Sequence, residues 1–122
     1  MKFSFEDLTV WQKSVDFAKA VIDLAEKIDS GRKHYRLIEQ LESASTSIAM
    51  NIAEGKGRYS KKEFIQFLYI ARGSLFETIT LLVIFNKKKW INKMQLEAIE
   101  NLGEEVNKML SSLIHSIKKT MS

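Results

Sequence analysis

Residues 60–87 read SKKEFIQFLYIARGSLFETITLLVIFNK, and this stretch decides the fold class. It begins with Ser60 and has Glu63 three residues later, which is the pattern of a capping box at a helix N-terminus. Apolar residues then recur at three- and four-residue spacing, which places them on one helix face. This core stripe comprises Phe64, Leu68, Ala71, Leu75 and Leu82. The pattern predicts one long helix that ends near Lys87.

A second apolar stripe lies about 100° further round the same predicted helix. It consists of Ile65, Tyr69, Phe76 and Val83. One helix of a monomeric bundle needs a single apolar stripe, because its other sides face water. A large exposed apolar patch is rare on a monomer, so the second stripe predicts an oligomer interface.

Three more segments on either side of this helix show the same periodicity. We predict helices over about 8–28, over 35–54, and from Asn92 towards the C-terminus, where Gln95 completes a second capping box. Loops of only a few residues make consecutive helices antiparallel neighbours. The 122 residues are therefore expected to form one domain, an all-α, antiparallel up-down-up-down four-helix bundle.

Glycines fall at two kinds of position in this scheme. Gly55 and Gly57 follow the second predicted helix, where glycine caps a C-terminus and permits a positive φ. Gly103 falls inside the fourth helix, near its core face. A glycine in a helix interior costs about 1 kcal/mol relative to alanine, so we expect Gly103 to serve close helix packing.

Composition excludes several classes of protein. There is no cysteine, so disulfide frameworks and thiolate chemistry are excluded, and 45% hydrophobic residues are enough for a core. The opening MKFSFEDLTVWQK has no long apolar run and no cleavage site of a signal peptide. No segment reaches the roughly 18 continuous apolar residues of a membrane span. We therefore expect a cytoplasmic protein that does not contact a membrane.

The search for catalytic and metal-binding residues is negative. A di-iron bundle needs Glu-x-x-His motifs, but Gly31 precedes His34 and Ser112 precedes His115 at the required spacing. No serine is set in a strand-turn-helix elbow, and no Gly-Lys-Ser/Thr phosphate loop is present. We predict a protein that is not an enzyme and holds no metal or cofactor.

Polar residues form a predicted seam between the second and third helices. The seam consists of Gln40, Ser47, Asn51 and Glu54 on one helix, and Ser74 and Glu77 on the other. We interpret it as a hydrogen-bonded contact that fixes helix register and ties down the following turn, where Arg58 can pair with a glutamate. The alternative, a ligand site or a catalytic acid pair, lacks any supporting nucleophile, metal or cofactor feature.

Basic residues cluster at both predicted ends of the bundle, in a chain of net charge +4. One end gathers Arg32, Lys33, Arg36, Lys87, Lys88, Lys89 and Lys93, and the other Lys56, Arg58, Lys61 and Lys62, with Lys118 and Lys119. Such charges provide solubility and favour helix C-termini. Gathered around an oligomer axis, they would instead bind a polyanion. Trp90 either stacks on a base or closes the bundle end.

The chain resembles a known family in two stretches. These are FEDLTVWQK, residues 5–13, and SIAMNIAEGKGR, residues 47–58. Both are similar to the bacterial four-helix bundle proteins encoded in intervening sequences of large-subunit ribosomal RNA genes. The family signature falls in this chain on Asn51, Glu54, Gly55, Gly57, Arg58, Ser60, Glu63, Ser74 and Glu77.

The resemblance implies an up-down bundle that assembles into homo-oligomers, with pentameric rings as the family's tendency. The accessory variability proteins of diversity-generating retroelements are similar at a greater distance, and they bind a reverse transcriptase and nucleic acid. The family gives no RNA-binding residue to carry over. We therefore expect a non-catalytic homo-oligomer that associates with RNA or ribonucleoprotein through its basic helix ends. The alternative is a structural adaptor that binds another protein without nucleic acid.

Overall fold

The computed structural model describes residues 2–28 and 34–121. A 3-10 turn over Ser4–Asp7 precedes four helices, which are α1 (Thr9–Glu26), α2 (Tyr35–Lys56), α3 (Lys61–Lys87) and α4 (Lys93–Lys119). Consecutive helices pack side by side, and α1 also packs on α4, which closes the bundle. The predicted all-α, up-down-up-down four-helix bundle is confirmed.

Helices α3 and α4 begin at the predicted capping residues. The Ser60 hydroxyl accepts a hydrogen bond from the Glu63 backbone N–H at 3.1 Å, and it donates to the Glu63 carboxylate at 3.2 Å. At the start of α4 the box is reciprocal, because Gln95 N–H donates to Asn92 Oδ1 and Asn92 N–H donates to Gln95 Oε1. These bonds satisfy backbone donors that a helix N-terminus otherwise leaves unpaired.

One hydrophobic core runs the length of the bundle. Every helix contributes fully buried side chains, among them Phe17 from α1, Ile52 from α2, Leu68 from α3 and Leu110 from α4. Burial of each such side chain contributes about 1.5–3 kcal/mol, so this shared core is what holds the helices together.

Gly55 and Gly57 do not work as the left-handed caps that the sequence predicts. Helix α2 continues through Gly55, and Gly57 ends it with φ −80°. Gly55 is needed for space instead, since a Cβ built on it would lie 2.6 Å from Phe67 Cβ and 3.0 Å from Phe64 Cδ1. The missing side chain, rather than backbone freedom, lets α2 and α3 approach.

Gly103 serves close packing, as predicted. A Cβ built on it would lie 3.2 Å from Phe17 Cε1 and 3.3 Å from the Cδ1 atoms of Leu75 and Ile79. Glycine at this position therefore brings the α4 backbone close to α1 and α3. Among non-glycine residues the backbone has a positive φ at Lys89, φ 65°, in the turn between α3 and α4.

Candidate functional site

The polar seam joins α2 to α3 through side-chain hydrogen bonds. Ser47 and Ser74 hydroxyls lie 2.7 Å apart across the two helices. Asn51 Nδ2 donates to the Ser47 carbonyl at 2.8 Å and to the Ser47 hydroxyl at 3.1 Å. The centre of the seam is half-buried and its polar atoms bond one another. This geometry supports the structural interpretation of the seam rather than a ligand site.

The two ends of the seam lie at the surface. Gln40 Nε2 donates to Glu77 at 3.3 Å, and Arg58 donates to Glu54 at 2.9 Å. The Arg58 guanidinium also lies 4.7 Å from the centre of the Phe67 ring. The turn between α2 and α3 is therefore held by Arg58, as predicted for that residue.

The described residues offer no metal site. Within residues 2–28 and 34–121, no three His, Cys, Asp or Glu side chains are grouped closely enough to hold an ion. His34 stacks on Trp90 with ring centroids 4.6 Å apart, and His115 is exposed on α4.

At one basic end, which we call the α3–α4 end, exposed cations lie beside a cluster of three aromatic rings. Arg36, Lys87, Lys88, Lys89 and Lys93 are all exposed there. Arg32 and Lys33, predicted for the same cluster, lie outside the described residues. Trp90 lies between His34 and Phe85, at 4.6 Å and 4.9 Å. Because His34 and Phe85 pack against it and its side chain is half-buried, Trp90 closes the bundle end rather than offering a ring to a base.

The opposite end, which we call the α2–α3 end, carries six exposed cations: Lys56, Arg58, Lys61, Lys62, Lys118 and Lys119. Two of the lysines are held by neighbours, because Lys61 donates to Thr120 and Lys118 donates to the Tyr69 hydroxyl. Within the described part of the chain, Lys56, Lys62 and Lys119 form no salt bridge.

Tyr59 is the residue at this end that sequence reasoning missed. Its relative exposure is 103%, so its ring makes almost no contact with the rest of the chain. A recognisable signal was present, since an aromatic residue interrupts the basic run KGRYSKK. Such interleaving of aromatic and basic residues is typical of nucleic-acid contacts.

The solvent side of α3 is apolar along much of its length. We call the outer face the set of residues Tyr69, Ile70, Gly73, Phe76, Thr80 and Ile84; the exposed Gln66 and Glu77 lie on the same side of the helix. Ile70 and Phe76 are 52% and 53% exposed. Helix α3 is long and apolar enough to cross a membrane, a property that the central helix of a bundle often shares. Only 33% of its most apolar 18-residue stretch is buried in the bundle. Much apolar surface of α3 therefore remains uncovered.

Two of the four predicted interface residues do not lie on this outer face. Ile65 is only 7% exposed and belongs to the bundle core, and Val83 is half-buried against that core. The reason is that α3 lies between α2 and α4. These two helices cover more of the circumference of α3 than a single apolar stripe occupies. Tyr69 and Phe76 remain exposed, and Ile70, Ile84 and Gly73 join them.

Tyr69 has a perturbed hydroxyl at one edge of the outer face. Lys118 Nζ donates to its hydroxyl at 2.8 Å, and the Arg72 guanidinium lies 4.9 Å from its ring centre. The hydrogen bond from Lys118, aided by the two positive charges, lowers the pKa of Tyr69.

A second apolar surface is a groove of about 570 Å³ between α1 and α2. Its walls include Trp11, Val15, Ile22, Ala49, Met50 and Ala53. The bulky residues belong to α1 and the small ones mostly to α2. The chain therefore has two uncovered apolar surfaces, this groove and the outer face of α3.

A row of four acidic residues lies on the first half of α4. They are Glu97, Glu100, Glu104 and Glu105. Three of them pair with lysines, at 3.3–3.8 Å. Cations are therefore concentrated at both bundle ends, where carboxylates such as Glu54 and Glu63 also lie, and α4 carries a row of four carboxylates.

Together these features define a class: an all-α bundle with basic ends, an uncovered apolar face and no metal-binding group in its described part. The model of the 23S rRNA-intervening sequence protein family matches residues 6–112, and the chain belongs to that family. A similar solved structure is a protein of unknown function from the S23 ribosomal protein family of Bacteroides thetaiotaomicron. It is 32% identical, with a TM-score of 0.80, over 87% of this chain and 98% of that one. No curated protein gives a significant match.

Proposed function

We propose that this protein is a non-catalytic homo-oligomer that associates with RNA in the cytoplasm through its basic helix ends. The concentration of cations at both bundle ends carries the proposal. Phosphates are attracted to surfaces of concentrated positive charge, and this attraction needs no base-reading motif. The carboxylates on α4 disfavour a polyanion along that side, so contact is directed to the ends.

The family supports RNA as the polyanion. Its members are described as 23S rRNA-intervening sequence proteins, and the matched region covers both basic turns of this chain. No helix-turn-helix or zinc-finger pattern accompanies them, so binding with little sequence preference is expected.

The outer face of α3 supports the homo-oligomer. A Cβ built on Gly73, in the middle of this face, would have no heavy atom within 4 Å. This glycine is therefore not required by packing within the subunit, although it weakens the helix by about 1 kcal/mol relative to alanine. It would allow a neighbouring subunit to approach α3 closely. A ring of five is the number that the family resemblance implies.

The test for RNA measures binding against salt. In logarithmic plots, affinity for single strands should fall with a slope near about −0.7 per neutralised phosphate. Three triple Lys→Gln variants are compared: Lys87, Lys88 and Lys89 at one end; Lys56, Lys61 and Lys62 at the other; and Lys13, Lys19 and Lys108 on the sides. All three change net charge equally, but only the end variants should flatten the slope. Wild-type protein that binds RNA no better than a neutral polymer at low salt would refute the proposal, as would equal effects of all three variants.

The test for assembly uses light scattering on the pure protein. Phe76 is more than half exposed on the outer face, and a charge there would have to be desolvated in an interface. Wild type should be a closed oligomer at micromolar concentration, and Phe76→Glu should dissociate it. Glu39→Gln, at an exposed position of α2, serves as the control. A monomeric wild type, or an unchanged Phe76→Glu oligomer, would contradict the homo-oligomer.

A structural adaptor that binds only protein is the second candidate. The apolar groove between α1 and α2 favours it, because such a groove suits an apolar helix of a partner. The salt experiment separates the two functions: an adaptor would show no RNA binding that depends on the end lysines.

A further inference from the structure

The turn between α2 and α3 displays an aromatic ring that the subunit does not use. Tyr59 is 103% exposed, whereas the other two tyrosines, Tyr35 and Tyr69, are 55% and 38% exposed. Removal of an aromatic ring from water is favourable, and aromatic side chains dominate many interfaces. A ring held wholly in solvent is therefore available to a partner.

The backbone that carries Tyr59 is fixed on both sides. Arg58 N–H donates to the Gly55 carbonyl at 3.1 Å, and the Arg58 side chain holds Glu54. On the other side the Ser60 hydroxyl caps α3. The close approach at Gly55 fixes the two helices that frame the turn. Because the turn is already ordered, little conformational entropy is lost when the ring is bound.

Cations flank Tyr59 in the sequence, at the ends of the two helices that frame the turn. Lys56 and Lys62 are exposed and three residues away on either side of Tyr59, and neither has a salt bridge to a described residue. A single strand of RNA offers what this arrangement fits, namely flat base faces between regularly spaced phosphates. A duplex fits it less well, because its bases are already stacked on one another.

We propose that Tyr59 stacks on an unpaired base of RNA while Lys56 and Lys62 contact the flanking phosphates. This inference rests on the proposed RNA association, and it assigns base stacking to the α2–α3 end. The α3–α4 end has no equally exposed ring, since Trp90 lies between His34 and Phe85 and Tyr35 is 55% exposed. Lysines at that end contribute charge alone.

The experiment measures fluorescence anisotropy with a labelled oligoadenylate of about 12 nucleotides, a length within the usual site size of single-strand binders. A blunt RNA duplex of the same length and a polyphosphate competitor provide controls that lack accessible bases. Tyr59→Ala should weaken single-strand binding about tenfold or more, because loss of one stacked base has effects of that order. Tyr59→Phe, which keeps the ring, should bind within about twofold of wild type, the small change expected when stacking is retained.

Tyr35→Ala is the matched control, because Tyr35 is an exposed tyrosine beside a cation, Arg36, at the opposite end. It should leave single-strand affinity unchanged, and all three variants should melt at the wild-type temperature. Duplex affinity and polyphosphate competition should not distinguish Tyr59→Ala from wild type. An unchanged single-strand affinity for Tyr59→Ala, or an equal loss on duplex, overturns this inference while RNA association stands. If wild type binds neither RNA, the proposed function itself fails.

Discussion

A glycine and an aromatic residue lie on each side of α3, but they pack together on the inner side and are exposed on the outer face. On the side towards α2, Gly55 of the neighbouring helix admits Phe67, and Ser74 bonds Ser47. On the outer face, Gly73 has nothing within 4 Å of its Cβ position, and Phe76 is exposed. The inner side is explained completely by contacts within one subunit. No contact among the described residues accounts for Gly73 or for the exposed ring of Phe76, and these two residues are the basis of the proposed subunit contact.

Gly55→Ala has the largest expected effect, and it tests the packing on the inner side of α3. Helix propensity alone would make this change stabilising by about 1 kcal/mol. We expect the opposite, a loss of about 1–3 kcal/mol, because the new Cβ would overlap the Phe67 Cβ and neither helix can move without strain. Urea unfolding gives the free energy directly. A more stable Gly55→Ala protein would show that the close approach of α2 and α3 is not a constraint.

Gly73→Ala sharpens the comparison from the other side. In the Phe76→Glu background, where subunits are expected to be separate, Gly73→Ala should raise the free energy of unfolding by up to about 1 kcal/mol. In the otherwise wild-type chain the same change should weaken assembly, because the added methyl group blocks close approach of the neighbour. Sedimentation measures the second effect. Stabilisation accompanied by unaltered assembly would remove Gly73 from the interface.

Local signals explain how far the fold could be predicted from the sequence. The starts of α3 and α4 follow from Ser60 and Asn92, because capping bonds join residues only three positions apart. The use of Gly55 could not be predicted in this way, since it depends on how closely α2 meets a helix later in the chain. Sequence spacing identifies a glycine near a helix end, but it does not show which side chain of another helix packs against that glycine.

The candidate sites were harder to predict than the helices, for the same reason. Ile65 has the correct spacing for the second stripe, yet the way that neighbouring helices pack around α3 places it in the core. The sequence left two roles open for Trp90, and the positions of His34 and Phe85 on either side of it decide between them. The full exposure of Tyr59 is a property of the folded turn, and the basic run around it was the only trace in the sequence.

The centre of the seam should contribute a moderate amount of stability. Asn51→Ala removes two hydrogen bonds to Ser47, and the net value of a typical bond is about 0.5–1.5 kcal/mol. Alanine is the better helix former by about 0.5 kcal/mol, so the expected loss is about 0.5–2.5 kcal/mol. Thermal melts against wild type provide the measurement. If RNA binding fell while melting stayed unchanged, the seam would be part of a binding site rather than a helix contact.

The smallest effect is expected at the exposed end of the seam. Glu54 and Arg58 form an i, i+4 pair whose side chains are 57% and 41% exposed, and such pairs contribute about 0.3–0.5 kcal/mol. Glu54→Ala should therefore lower stability by no more than that, and about 0.5 M salt should remove most of the difference because it screens exposed charges. Asp23→Ala, which removes the similar Lys19–Asp23 pair at 2.8 Å, is the matched control on α1.

Arg58 remains beside the Phe67 ring in Glu54→Ala, so the turn should still display Tyr59, and single-strand RNA affinity should not decrease. A loss well above the Asp23→Ala value, together with weaker RNA binding, would mean that this ion pair rather than the Gly55 contact fixes the turn.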